Sequence, residues 1–222
     1  MNGAPAVDAV IFDLDGVLID SEGVWERVRE RYVREAGGTY TPQATRDIMG
    51  MSAAEWSRYI RTRLGVARPE ARINADVVAA VAAVYRAHLP LVPGAREAVR
   101  RVRARVPVAI ASSSNRELID LFVELADLAG AFAVTVSADE VARGKPAPDV
   151  YLRAAALLGL AAERCGAVED SGNGIRAAHA AGAFVVAIPT RDFPPAPDAL
   201  ALARRVLPDL DALSLESFVS TP

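Results

Sequence analysis

Five short apolar runs without polar alternation decide what this chain can fold into. They cover residues 7–12, 106–111, 132–136, 165–168 and 184–188. A strand with one wet face alternates apolar and polar residues. Runs like these, interrupted only by Asp8 and Thr135, predict strands covered on both faces, as in a parallel sheet. From residue 95 onward the runs alternate with helical patterns over about 95–104, 116–126, 148–158 and 174–181. Alternating strand and helix predicts a doubly wound α/β fold.

Residues 21–90 read differently. No strand pattern appears there. A charged helix runs from Ser21 to about Ala36 and is closed by Gly37 and Gly38, and further helices fill 42–89, including 52–64 and 75–89. The stretch from Leu89 to Gly94, with Pro90 and Pro93, reads as a linker. The expected organisation is an α/β core from 1–20 and 91–222, with 21–90 inserted as an α-helical cap. The Pro-rich stretch from Phe193 to Pro197 reads as a surface loop.

Ligands of open α/β sheets gather at the carboxyl ends of the strands, so the residues following each run matter most. Asp13 and Asp15 follow the first. Residues at i and i+2 of an extended segment point the same way. Two carboxylates aimed into one pocket repel unless a cation or a proton separates them. Ser112, Ser113, Ser114 and Asn115 follow the second run and open a helix. Gly144-Lys145-Pro146 lies beyond the third, and Glu169-Asp170-Ser171-Gly172 follows the fourth. Taken singly, these segments have ordinary explanations as turns, an N-cap and a surface charge. Together, in this order, they assemble a phosphoryl-transfer site. Asp13 is the expected nucleophile and Asp15 the acid/base. Asp13, Asp15, Glu169 and Asp170 form an oxygen-only ligand set suited to Mg²⁺. Ser112 and the backbone N–H groups of Ser113 and Ser114 are the expected phosphate cradle, with Lys145 neutralising phosphate oxygens and holding Asp13 ionised.

Lys145 is the sole lysine among the chain's 25 Lys and Arg residues. Its isolation suggests a position that needs a compact ammonium rather than a planar guanidinium. The net charge of −3 gives no reason to expect nucleic acid or an anionic membrane as partner. A single cysteine, Cys165, excludes an intramolecular disulfide, fits a reducing compartment, and reads as a core residue. With neither a basic leader nor a long apolar stretch read at the N-terminus, the expected location is cytoplasmic. His88 and His179 lack metal-ligand spacing.

These residues resemble the motifs of the haloacid dehalogenase superfamily, and most closely its β-phosphoglucomutase-like branch with a helical cap. Asp13-Leu14-Asp15-Gly16-Val17-Leu18-Ile19-Asp20-Ser21 is similar to the first motif and Ser112 to the second. Lys145 within Gly-Lys-Pro-Ala-Pro-Asp is similar to the third, and Glu169-Asp170-Ser171 to the fourth. The resemblance spans almost the whole chain. It implies an aspartyl-phosphate on Asp13, Mg²⁺ among the four acidic residues, and a mobile cap that excludes bulk water.

Three departures bear on chemistry. The superfamily's dehalogenases lack the second aspartate, which Asp15 supplies here. Its phosphonate-cleaving members use a cap lysine, and 21–90 contains none. The mutases carry a cap histidine near the position of Trp25 and an arginine after a Gly-x-Ser segment. Here Gly50-Met51-Ser52 is followed by Ala53. Arg46 and Arg58 are the residues available to replace that anchor. The expected activity is a Mg²⁺-dependent phosphatase for a small sugar or polyol phosphate, acting as a monomer. The alternatives are a sugar-phosphate mutase and, less favoured, a non-catalytic phosphosugar sensor. Glu22, Trp25, Met49, Met51 and Trp56 are the candidates for substrate selection.

Overall fold

The computed structural model describes residues 7–49, 51–191 and 193–219. Gly50, part of the segment compared with the mutases, lies outside them. At the centre is a six-stranded parallel sheet in the order β3-β2-β1-β4-β5-β6. The strands are β1 (Ala9–Phe12), β2 (Val108–Ser112), β3 (Val134–Ser137), β4 (Cys165–Glu169), β5 (Phe184–Ala187) and β6 (Arg205–Val206). β1 is fully buried and paired on both sides, with Ile11 opposite Ala109 of β2 and Ala167 of β4. The chain builds outward from β1 through β2 to β3, then returns to β1's other side with β4. That reversal places a crevice beyond the carboxyl end of β1, where doubly wound sheets bind ligands.

Five helices lie between β1 and β2 in the chain, and the first four are α1 (Glu22–Glu35), α2 (Pro42–Ile48), α3 (Ala53–Arg63) and α4 (Glu70–Ala87). α4 buries Ile73, Val77, Val81 and Tyr85, a stripe at four-residue spacing. It packs against both α1 and α3. α4 starts five residues before the predicted 75, on a first turn led by Pro69 and Glu70. The remaining helices are α5 (Ala95–Arg103), α6 (Arg116–Leu125), α7 (Asp149–Leu157), α8 (Gly172–Ala180) and the short α9 (Pro197–Leu200).

The two sheet faces are unlike. One carries Val10, Phe12, Ile110, Val168 and Val186 in a core with α5 and α6. The other carries Ala9, Ala109, Ala111, Ala167 and Ala187 with Ile11 and packs on α7 and α8. Cys165 is buried there and free, as its place in a strand predicted. Among the described residues, no helix is long and apolar enough to cross a membrane.

Candidate active site

The loop after β1 stays tied to the sheet, with the Asp13 N–H donating to Val168 O at 3.0 Å. Asp13 therefore lies beside the end of β4, where Glu169 and Asp170 follow. Lys145 bridges the two strands. Its Nζ is 2.8 Å from Asp13 Oδ1 and 2.6 Å from Glu169 Oε1. The Tyr151 hydroxyl, from α7, donates to Glu169 Oε1 at 2.6 Å, and Ser171 Oγ donates to Glu169 Oε2 at 3.3 Å. Asp170 Oδ1 is buried with no hydrogen-bond partner.

Two glycines make room for these carboxylates. A Cβ at Gly16, whose φ is +80°, would sit 2.0 Å from Asp170 Oδ2, and one at Gly174 would sit 1.9 Å from Glu169 Oε2. Neither substitution fits without moving a carboxylate.

Asp13, Glu169 and Asp170 each offer an oxygen, and these oxygens lie within 4.8 Å of one another. Three buried carboxylates face one ammonium. Burial, then the charge of Glu169, push the Asp13 pKa up to about 8, against the pull of Lys145. Burial, then Glu169 and Asp13, raise Asp170 well above the ordinary carboxylate range. Burial opposes the charge on Lys145, but Asp13 and Glu169 outweigh it and raise its pKa above the usual lysine value. The cluster is short of positive charge and holds an orphaned carboxylate oxygen. An oxygen-only donor set in that condition fits a hard divalent cation.

Asp15 is held differently. Its Oδ1 accepts from Ser21 Oγ at 2.5 Å and Trp25 Nε1 at 3.3 Å. Its Oδ2 accepts from Ser114 Oγ at 2.7 Å and Ser112 Oγ at 3.4 Å. Ser112 Oγ in turn accepts the Ser114 N–H at 2.9 Å, and Ser137 Oγ donates to Ser114 O at 2.7 Å. This carboxylate is tied on one side to the root of α1 and on the other to the β2–α6 turn.

A cavity of about 360 Å³ opens over these groups. Of the predicted core residues, Asp13, Asp15, Ser113, Ser114, Lys145 and Asp170 line it. Ser112 and Glu169 do not; both are fully buried behind the wall. All five residues proposed for substrate selection line it as well: Glu22, Trp25, Met49, Met51 and Trp56. The Pro-rich segment is more than a surface loop, since Phe193, Pro194, Pro195 and Ala196 form part of the wall. Arg46 lines the cavity, whereas Arg58 is turned to Glu70 at 3.8 Å.

Sequence reasoning missed Tyr151, Ser21 and Arg29. Tyr151 reads as core in a helix pattern, and it is core except for its hydroxyl. Ser21 stood inside the first motif without a role. Arg29 looks like one more charge on a charged helix, yet it is 9% exposed and lines the cavity. The signal was its spacing: it lies four residues after Trp25 and one after Val28, on the buried side of α1.

The model of the haloacid dehalogenase-like hydrolase family matches residues 7–182. The chain belongs to that family. Among similar hydrolases is the phosphorylated carbohydrates phosphatase of Thermotoga maritima. It is 34% identical over 178 residues, 79% of this chain and 82% of that protein. Hexitol phosphatase B of Escherichia coli is 34% identical over 214 residues, 93% of this chain and 92% of that one. The crystal structure of CbbY from Rhodobacter sphaeroides in complex with phosphate superposes with a TM-score of 0.85. It is 25% identical and covers 96% of this chain and 99% of that one.

Proposed function

We propose that this family member is a Mg²⁺-dependent phosphatase that hydrolyses a small phosphate monoester, of a sugar or polyol, through an aspartyl-phosphate on Asp13. The observation that carries this reading is the cluster of Asp13, Glu169 and Asp170 around Lys145 at the carboxyl ends of β1 and β4. Asp13 and Asp170 would hold the cation directly. Glu169 has Lys145, Tyr151 and Ser171 on its oxygens and supports the set from behind. Bound Mg²⁺ would neutralise charge shared between carboxylate and phosphate oxygens.

Asp13 attacks phosphorus, and the bond from phosphorus to the ester oxygen breaks. Asp15 gives its proton to that leaving oxygen. Asp15 then takes a proton from water, whose oxygen attacks the aspartyl-phosphate, releasing inorganic phosphate and restoring Asp13. Lys145 faces the nucleophile and neutralises its charge as the dianionic ester approaches. The helices of 21–90 act as the cap, bringing Trp25, Trp56, Met49 and Met51 over the substrate to exclude water. Sugar or polyol phosphates are favoured by the substrates named for the Thermotoga and Escherichia relatives.

The test is phosphate release from a panel of sugar and polyol phosphates, with Mg²⁺ and with chelator, with isomerised products scored in parallel. Release that depends on Mg²⁺ is expected. Isomerised product without release would replace this reading with the mutase.

A further inference from the structure

Arg29 lines the cavity's helical wall, and among the described residues no carboxylate lies within ion-pair distance of it. Its guanidinium carbon is 4.5 Å from the ring centroid of Trp25 and 5.3 Å from that of Trp56. The two indoles lie 6.0 Å apart at 60°. Its Nε is buried with no hydrogen-bond partner. Among the described residues it makes no hydrogen bond or ion pair. Glu22, on the same cavity wall, is the carboxylate that acts on it most strongly through space, followed by Asp15.

Burying an unpaired charge is costly. Two indole faces recover part of that cost, and they also fix the guanidinium in one orientation. If the site served a neutral polyol chain, uncharged amides would hydrogen-bond its hydroxyls without that cost. A fixed, desolvated, unpaired guanidinium suits an anion, which it grips through two parallel N–H groups.

We infer that the substrate carries a second anionic group, a carboxylate or another phosphate, distal to the ester that Asp13 attacks, and that Arg29 binds it. This rests on the phosphatase reading above and narrows its substrate class. The Trp25–Trp56 pair positions Arg29, and Arg46 adds positive charge at the exposed rim.

The test compares three esters on one six-carbon chain: sorbitol 6-phosphate, 6-phosphogluconate and sorbitol 1,6-bisphosphate. Wild type should show kcat/KM at least about tenfold higher for one or both anionic esters than for sorbitol 6-phosphate. Whichever leads tells carboxylate from phosphate. Arg29→Gln should lower kcat/KM for the anionic esters at least about tenfold more than for sorbitol 6-phosphate, which removes that preference. No preference in wild type, or one that survives in Arg29→Gln, overturns the inference. So does an equal loss on all three esters, which marks Arg29 as structural only. Binding of the same esters to Asp13→Asn separates the two readings. Tighter binding of an anionic ester, without turnover of any ester by wild type, would sink the phosphatase and keep the Arg29 site. Turnover with uniform binding would do the reverse.

Discussion

The two ends of the cavity treat buried charge in opposite ways. At the sheet end, Lys145 lies between two carboxylates, Glu169 has donors on both oxygens, and Asp15 accepts from three hydroxyls and an indole. Asp13 Oδ1 meets Lys145 as an ion pair rather than through an aligned hydrogen bond, and Asp170 Oδ1 is left bare. At the helical end, Arg29 rests on two aromatic faces and meets the Glu22 carboxylate only through space, with no hydrogen bond or ion pair among the described residues. The first end is organised before any ligand arrives, as transition-state stabilisation requires. The second carries an unmet charge, which makes it the end that discriminates among ligands.

The largest expected effect is at the nucleophile. Asp13→Asn keeps the shape of the side chain and should lower kcat by on the order of a thousandfold or more, with an unchanged circular-dichroism spectrum. Appreciable turnover by that variant would remove Asp13 from the mechanism. Next is Lys145→Met, which leaves the buried Glu169 without its cation beside Asp13. Loss of one partner from such a set costs about 3–5 kcal/mol, to be read by denaturant unfolding at neutral pH. Arg29→Met should behave in the opposite sense, with stability within about 1 kcal/mol of wild type, because an unpaired buried charge has been removed. Equal destabilisation by the two variants would erase the contrast between the ends.

A smaller effect links pH to the cation. In metal-free protein the pKa of Asp13 is raised to about 8. Its folded state keeps a proton that the unfolded chain has already lost, so stability is full below the unfolded pKa, about 4, and falls as pH rises towards 8. Mg²⁺ competes with that proton. Its addition should therefore raise Tm more at pH 8 than at pH 5.5, and a shift independent of pH would show that Asp13 does not meet the ion.

The strands and most of the sheet end were legible because their causes are local. An apolar run without alternation needs cover on both faces, and a strand followed by acidic residues or serines delivers them to one edge. β6 was missed since two residues, Arg205 and Val206, carry no pattern. Ser112 and Glu169 were identified as site residues, but their burial behind the wall depends on Ser114, Tyr151 and Lys145 arriving from elsewhere in the chain. Arg29 was hidden for a related reason. Its meaning comes from Trp56, which the sequence places on a different helix, and helix patterns do not show which faces meet.

Gly16 and Gly174 contribute no side-chain atom to the cavity, yet each occupies the one size that lets a carboxylate stand where it does. The wall around Met49 and Met51 can exchange side chains of similar bulk and acquire new ligand preferences. A single added methyl group at either glycine would displace an acidic oxygen instead. Drift in this protein is therefore steered: what it accepts can change by small steps at the helical end, while two positions of no apparent chemistry keep the carboxylate cluster as it is.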